Sequence, residues 1–286
     1  MMLSIKEISY RYHHQDDWLY QDVSCELDKG HIYGLLGKNG VGKSTLLYLI
    51  SGLIHPCTGQ ISLLGKAVTN RPVSVLEDFF LVPEEFDLPN MSIQNYLKNY
   101  GSFYPRFSED DFNRYLGLFE MSSDLHLGRL SMGQKKKVFM AFALATNVSL
   151  LLLDEPTNGL DIPSKSQFRK LIASGMNEER TIVISTHQVR DIDKLIDDVL
   201  VLDTKGITLQ TSLDKITDRL EFIETDDRSL VAKALYSVPS LYGNKLILLN
   251  DSEYKKESEL DLELLFNALH EVGPEITALF NNSNDN

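Results

Sequence analysis

Three short runs of this chain are apolar at nearly every position: Ile32 to Leu36, Leu150 to Leu153 and Ile182 to Ile184. A run without alternation suits a parallel strand buried under helices on both faces. Apolar stretches that read as helices stand beside them, at Thr45 to Ile50 and Val138 to Leu144. Residues 1 to about 83 and about 137 to 213 therefore predict an α/β unit, with strands and helices alternating around a parallel sheet. Between these stretches, residues 84–136 read as mostly helical, with apolar positions at Tyr96, Leu97, Tyr100, Phe103, Phe112, Tyr115, Leu116 and Phe119. Residues 214–286 predict a smaller α/β unit: strand Leu220 to Ile223, helix Arg228 to Tyr236, strand Lys245 to Leu249 and helix Leu260 to Val272. The tail Asn281 to Asn286 is polar and is expected to be disordered.

Polar residues follow two of these strands in patterns that carry chemistry. Gly37-Lys38-Asn39-Gly40-Val41-Gly42-Lys43-Ser44, followed by Thr45, matches G-x-x-x-x-G-K-[ST] and lies between a strand and a helix, as that motif requires. A plain glycine turn is the competing reading, and the strand–loop–helix context disfavours it. The glycines let backbone N–H groups turn inward around a polyphosphate, and the helix N-terminus adds partial positive charge. Lys43 is expected to reach the β- and γ-phosphates, and the Ser44 hydroxyl to hold Mg²⁺. Downstream, the strand Leu150 to Leu153 ends in Asp154-Glu155-Pro156. Parallel sheets collect ligands at the carboxyl ends of their strands. Asp154 is expected to hold Mg²⁺ through water, and Glu155 to polarise an attacking water as general base. The chain is thus expected to bind a nucleoside triphosphate with Mg²⁺.

Leu130-Ser131-Met132-Gly133-Gln134 resembles the signature of ATP-binding-cassette (ABC) ATPases, usually Leu-Ser-Gly-Gly-Gln, with Met132 in place of the first glycine. Ser131 is placed to cap the helix that follows. The resemblance covers about residues 3 to 213. It implies a P-loop cassette with N-terminal antiparallel strands, a parallel-sheet core and an inserted helical subdomain at residues 84–136. It also implies that Ser131, Gly133 and Gln134 meet the γ-phosphate held on an opposing subunit, so that the active unit is a homodimer or a heterodimer with a related cassette. Tyr12 matches the aromatic that stacks on adenine, with Tyr10 as the alternative if the register is off by two. Asp161, in Asn158-Gly159-Leu160-Asp161, matches the D-loop aspartate, which communicates across the dimer. His187 matches the switch histidine that hydrogen-bonds the γ-phosphate and orients water beside Glu155. The segment Phe79 to Glu84 aligns with the Q-loop but carries Glu84 where glutamine is usual. A carboxylate is still a hard oxygen donor for Mg²⁺, though it adds negative charge near the γ-phosphate. Asp261 to Phe266 resembles the C-terminal end of ATPases paired with ABC-2-type permeases.

Composition narrows the partners. A net charge of −13 over 286 residues argues against broad affinity for nucleic acid. The basic triplet Lys135-Lys136-Lys137 is expected on a solvated helix face. Cys25 and Cys57 lack metal spacing and predict buried thiols in a reducing compartment. The N-terminus has no apolar stretch of signal-peptide length, and the uncharged, largely apolar run Val138 to Leu153 is too short to span a bilayer. The expectation is therefore a cytoplasmic ATPase subunit held at the inner face of the cell membrane by separately encoded integral membrane permease subunits. It would power transport, with export favoured. The alternative is a soluble ABC ATPase of DNA repair or translation control. That reading is disfavoured because the chain has neither a long coiled-coil insertion nor a second cassette.

Overall fold

The computed structural model describes residues 1–13, 17–204, 206–250 and 258–281. Strands β1 (Leu3–Tyr10) and β2 (Tyr20–Leu27) are followed by β3 (Ile32–Leu36) and helix α1 (Lys43–Ile50). Next come β4 (Thr58–Leu63), β5 (Lys66–Ala67), α2 (Val73–Leu76) and β6 (Phe79–Val82). The helical insertion carries α3 (Ile93–Tyr100) and α4 (Glu109–Leu118) and delivers the chain to α5 (Met132–Ala145). Strand β7 (Leu150–Asp154), α6 (Ile162–Gly175), β8 (Thr181–Thr186), β9 (Asp198–Asp203) and β10 (Gly206–Ser212) return it to the sheet. Beyond lie α7 (Leu213–Arg219), β11 (Leu220–Thr225), α8 (Arg228–Val231), β12 (Tyr236–Ser240), β13 (Gly243–Leu249), α9 (Leu262–Glu271) and α10 (Gly273–Asn281).

The main sheet has the order β10-β9-β3-β8-β7-β6, parallel throughout except for β10, which closes one edge antiparallel to β9. Each residue of β3, β7 and β8 is buried, which accounts for their unbroken apolar sequences. Successive side chains of a strand take opposite faces, so two apolar layers form. Leu35, Leu152 and Val183 pack toward α1 and the antiparallel sheet β2-β1-β4-β5. Leu36, Leu153 and Ile184 pack with Phe142 of α5 and Phe168 of α6, in a layer that continues into Ile247 and Leu265 of the C-terminal segment. The antiparallel sheet shows the opposite signature. In β2, Tyr20, Val23, Cys25 and Leu27 are buried while Gln21, Asp22, Ser24 and Glu26 are exposed.

Four expectations need correction or extension. The helix expected from Arg228 to Tyr236 ends at Val231, and Tyr236 instead opens strand β12. That strand contains Pro239 and lies at the edge of the sheet β11-β13-β12, where a residue without an N–H is tolerated. The last expected helix is followed by a second, α10, which starts at Gly273. Cys25 is buried in β2, but Cys57 is exposed, in the loop between α1 and β4. The polar tail expected to be disordered lies, from residue 282 onward, outside the described residues.

One buried cation was not anticipated. Arg180, only 2% exposed, sits just ahead of β8. Its guanidinium donates to the Val148, Gly175 and Leu144 carbonyls and to Asn147 Oδ1. The side chain thereby satisfies carbonyls at the C-terminal ends of α5 and α6, which have no partners within their helices. Burial pulls its pKa down.

Candidate functional site

Three strand ends are level with one another, and every acid–base group of the site follows from that. Leu36 of β3 is in register with Thr186 of β8, and Asp154 of β7 with Ser185 of β8. The loop at residues 37–42, the Asp154-Glu155 pair and His187 therefore emerge at the same carboxyl edge. Gly40 and Gly42 take positive φ, +81° and +110°, values open to glycine. A Cβ on Gly42 would also collide with the Tyr20 hydroxyl, which donates to the Gly42 carbonyl at 2.6 Å. Gly42 caps α1 without any side-chain hydrogen bond, and the first turn holds no acidic residue. The first N–H groups of that helix are thus left for an anion.

Lys43 is buried, and its Nζ donates to the Gly37 carbonyl at 2.8 Å and lies 3.4 Å from Glu155 Oε1. Glu155 is held from several sides. Its Oε1 accepts from the His187 backbone N–H at 3.1 Å and is 2.9 Å from His187 Nδ1, while Oε2 accepts from Thr186 Oγ1 at 3.2 Å. Its backbone sits at φ +43°, a strained value for a residue with a side chain. Asp154 is fully buried; its Oδ1 accepts from Ser185 Oγ, while Oδ2 has no partner. Burial raises the Asp154 pKa, against the opposing effect of the nearby Ser185 and Ser44 hydroxyls. An orphaned carboxylate oxygen next to a serine hydroxyl suits a hard cation. Among the described residues no three His, Cys, Asp or Glu side chains form a metal-binding cluster. For Mg²⁺ that is no contradiction, since the ion is held by one or two carboxylates together with phosphates and water.

A cavity of about 310 Å³ opens over the loop, lined among others by Tyr12, Gly40, Lys43, Ser44, Glu84 and Glu155. Tyr12 is 43% exposed, and its hydroxyl meets Thr45 Oγ1; Tyr10 is 8% exposed and packs in the core, so only Tyr12 offers a free ring face. Glu84 accepts from Asn158 Nδ2 at 2.8 Å, which ties it to the loop after β7. Val41 is buried, whereas Lys38 and Asn39 are exposed. Ser131, Gly133, Gln134 and Asp161 do not line this cavity. Ser131 and Gln134 form a reciprocal capping box at the start of α5, and Gly133 has open space around its Cα. Asp161 caps α6 by accepting from the Ser164 N–H at 2.9 Å. Within one chain, then, the signature faces outward, away from the phosphate loop.

The expectation for the lysine triplet fails at its middle member. Lys136 is 5% exposed, and its Nζ donates to the carbonyls of Glu155 at 3.0 Å and Asn158 at 2.9 Å. The surrounding residues of α5 explain this, because Met140, one turn on, is buried on the same inward face. Helical spacing was the only signal available in the sequence, and the charge run masked it. Thr186 and Gln188 were likewise not singled out. Gln188 Nε2 donates to Asn158 Oδ1 at 3.1 Å.

Comparison with known proteins agrees with this geometry. The sequence profile of the ABC transporter family matches residues 20–158. The chain is 30% identical over 204 residues to the ABC transporter ATP-binding protein NatA of Bacillus subtilis, covering 68% of this chain and 82% of that protein. It is 31% identical over 194 residues to the Nod factor export ATP-binding protein I of Burkholderia lata, covering 66% of this chain and 64% of that protein. A solved structure described as the ATP binding subunit of an ABC transporter superposes with a TM-score of 0.67 at 27% identity, over 76% of this chain and 92% of that one.

Proposed function

The chain belongs to the ATP-binding subunits of ABC transporters and is an ATPase that powers transport, and from that premise we propose how its residues divide the work. The observation that carries the proposal is the meeting of Lys43, Glu155 and His187 on one carboxylate oxygen at the edge where the phosphate loop ends. The loop N–H groups and Lys43 bind the β- and γ-phosphates, and Tyr12 stacks on the base. Glu155 takes a proton from the attacking water, and His187 keeps that carboxylate oriented. A bound Mg²⁺ would be held by Ser44, Asp154 and Glu84, and would neutralise charge on the phosphates. The unpartnered Asp154 Oδ2 supports that placement.

The outward-facing signature supports an active dimer in which Ser131, Gly133 and Gln134 of one chain complete the site of the other, with Asp161 near the junction. We take that dimer to be a homodimer. Residues 1–213 serve as the ATP-binding domain, with 84–136 as its helical subdomain, and 214–286 as an accessory unit. No helix among the described residues is long and apolar enough to cross a membrane. We place the chain at the inner face of the membrane through separate permease subunits on its likeness to ABC transporter ATP-binding proteins. Export is the direction we favour, on the likeness to an export ATP-binding protein.

Glu155→Gln tests the assignment. It keeps ATP binding, lowers hydrolysis by at least about a hundredfold, the usual scale for a general base, and accumulates ATP-bound dimers on size-exclusion chromatography. Wild-type turnover in this variant would remove Glu155 from the role.

A further inference from the structure

We propose that Lys136 is a positioning residue for hydrolysis, its ammonium clamping the backbone on either side of the turn that follows β7 so that Glu155 points at the phosphate cavity. The inference rests on the reading of Glu155 as the base. Lys136 comes from the signature helix α5, yet its Nζ reaches the Glu155 carbonyl at 3.0 Å and the Asn158 carbonyl at 2.9 Å. The turn it spans is closed further by the Asn158 N–H, which donates to the Glu155 carbonyl at 3.2 Å. Glu155 needs such support because its φ of +43° lies in the left-handed region, which costs a residue with a side chain about 1 kcal/mol or more. Two donors on one carbonyl hold that peptide in the unfavourable orientation. If the carbonyl were released, the peptide could relax and carry the carboxylate away from His187 and Lys43.

The clamp also links the site to its neighbours. Asn158, gripped at its carbonyl by Lys136, donates to Glu84 through Nδ2 at 2.8 Å and accepts from Gln188 through Oδ1 at 3.1 Å. One buried ammonium therefore ties the signature helix to the loop carrying Glu84, to the base and to the segment after His187. The charge is suited to this edge. Burial disfavours the ammonium, while Glu84, Glu155 and Asp154 favour it, Glu84 most. Gly133 of the signature lines the same small cavity as Lys136 and Asn158, about 330 Å³ in volume. A movement of the signature helix thus reaches the base directly through this side chain.

A buried lysine with a purely structural role would lose stability on replacement and leave turnover per folded molecule unchanged. The test uses the full chain with Lys136→Met, Lys136→Gln and Lys136→Arg, followed by thermal melting, fluorescent-ATP titration in EDTA and steady-state hydrolysis. The expected result for Lys136→Met is a kcat lowered roughly tenfold or more, with ATP affinity within about twofold of the parent. Lys136→Arg recovers part of the loss, since it keeps the charge and the donors. Lys136→Gln, which can still donate to one carbonyl, falls between, and keeps the test alive if Lys136→Met does not fold. Pairing Lys136→Gln with Glu84→Gln gives a kcat above the product of the two single effects, because the carboxylate that Lys136 faces is removed with it. Parental kcat in folded Lys136→Met, or losses of affinity and kcat in equal proportion, overturns the inference. If Glu155→Gln turns over ATP normally, it is the assignment of the base that fails instead.

Discussion

His187 reaches Glu155 Oε1 twice, through its backbone N–H at 3.1 Å and through Nδ1 at 2.9 Å. A carboxylate can only accept, so Nδ1 is the donor in the ring contact. The two contacts hold the ring and the carboxylate in one mutual orientation. This pairing is the basis for the orienting role proposed for His187.

Replacing His187 by alanine removes the ring contact and spares the backbone one. The expected outcome is a drop in kcat of about a hundredfold with ATP affinity nearly unchanged. Equilibrium ATP binding beside single-turnover hydrolysis checks it. A parallel loss of affinity would mean that the ring chiefly holds the phosphate.

The outward signature makes a complementation experiment decisive. Ser131→Arg alone binds ATP and does not hydrolyse it, because the arginine blocks the face offered to a partner. Lys43→Ala alone binds ATP poorly, having lost the charge that neutralises phosphate. Mixing the two restores partial hydrolysis, since a heterodimer contains one composite site free of both changes. Full activity of Ser131→Arg by itself would refute the shared site.

Glu84 lines the phosphate cavity, and its charge has a measurable consequence. Glu84→Ala is expected to raise the Mg²⁺ concentration for half-maximal hydrolysis, while ATP binding in EDTA stays level or improves with a carboxylate gone from beside the phosphates. Glu84→Gln is expected to be the mildest change. Identical Mg²⁺ titration curves for all three proteins would sink the ligand assignment.

Arg180→Met leaves the buried Val148 and Gly175 carbonyls and the Asn147 amide oxygen without the guanidinium, and the Leu144 carbonyl with backbone donors alone. The expected cost is about 3 kcal/mol or more, read as a fall in melting temperature of roughly 10 °C. Turnover per folded molecule should stay near the parental value, because Arg180 lies at the opposite end of β8 from His187.

Strands β3, β7 and β8 of the main sheet were legible because burial on both faces leaves a short apolar run within each. The candidate site was legible where chemistry demands fixed spacing, from Gly37 to Ser44 and at Asp154-Glu155. What was missed depends on contacts distant in sequence. Nothing beside Arg180 announces that a charged side chain will turn inward to carbonyls contributed by other elements, and at Lys136 the charge run hides the helical spacing that would. The Tyr236–Ser240 strand escaped notice because it is an edge, short and interrupted by Pro239, and its pairing with β13 rather than its own pattern defines it. Cys57 was misjudged because a thiol's burial follows from its loop and not from its hydrophobicity.

The position of β3 bears on how the chain is born. Its two neighbours in the sheet are β8 and β9, which begin at Thr181 and Asp198. A ribosome making the protein from its N-terminus has already released the phosphate loop when the entire helical insertion has still to be synthesised. Until residues beyond 180 emerge, β3 has neither hydrogen-bonding edge satisfied. Long-range pairing of this kind slows folding and leaves strand edges open to wrong partners. The strand that carries nucleotide recognition is therefore among the last to be locked in, and nascent chains interrupted before β8 retain it as an exposed, sticky segment.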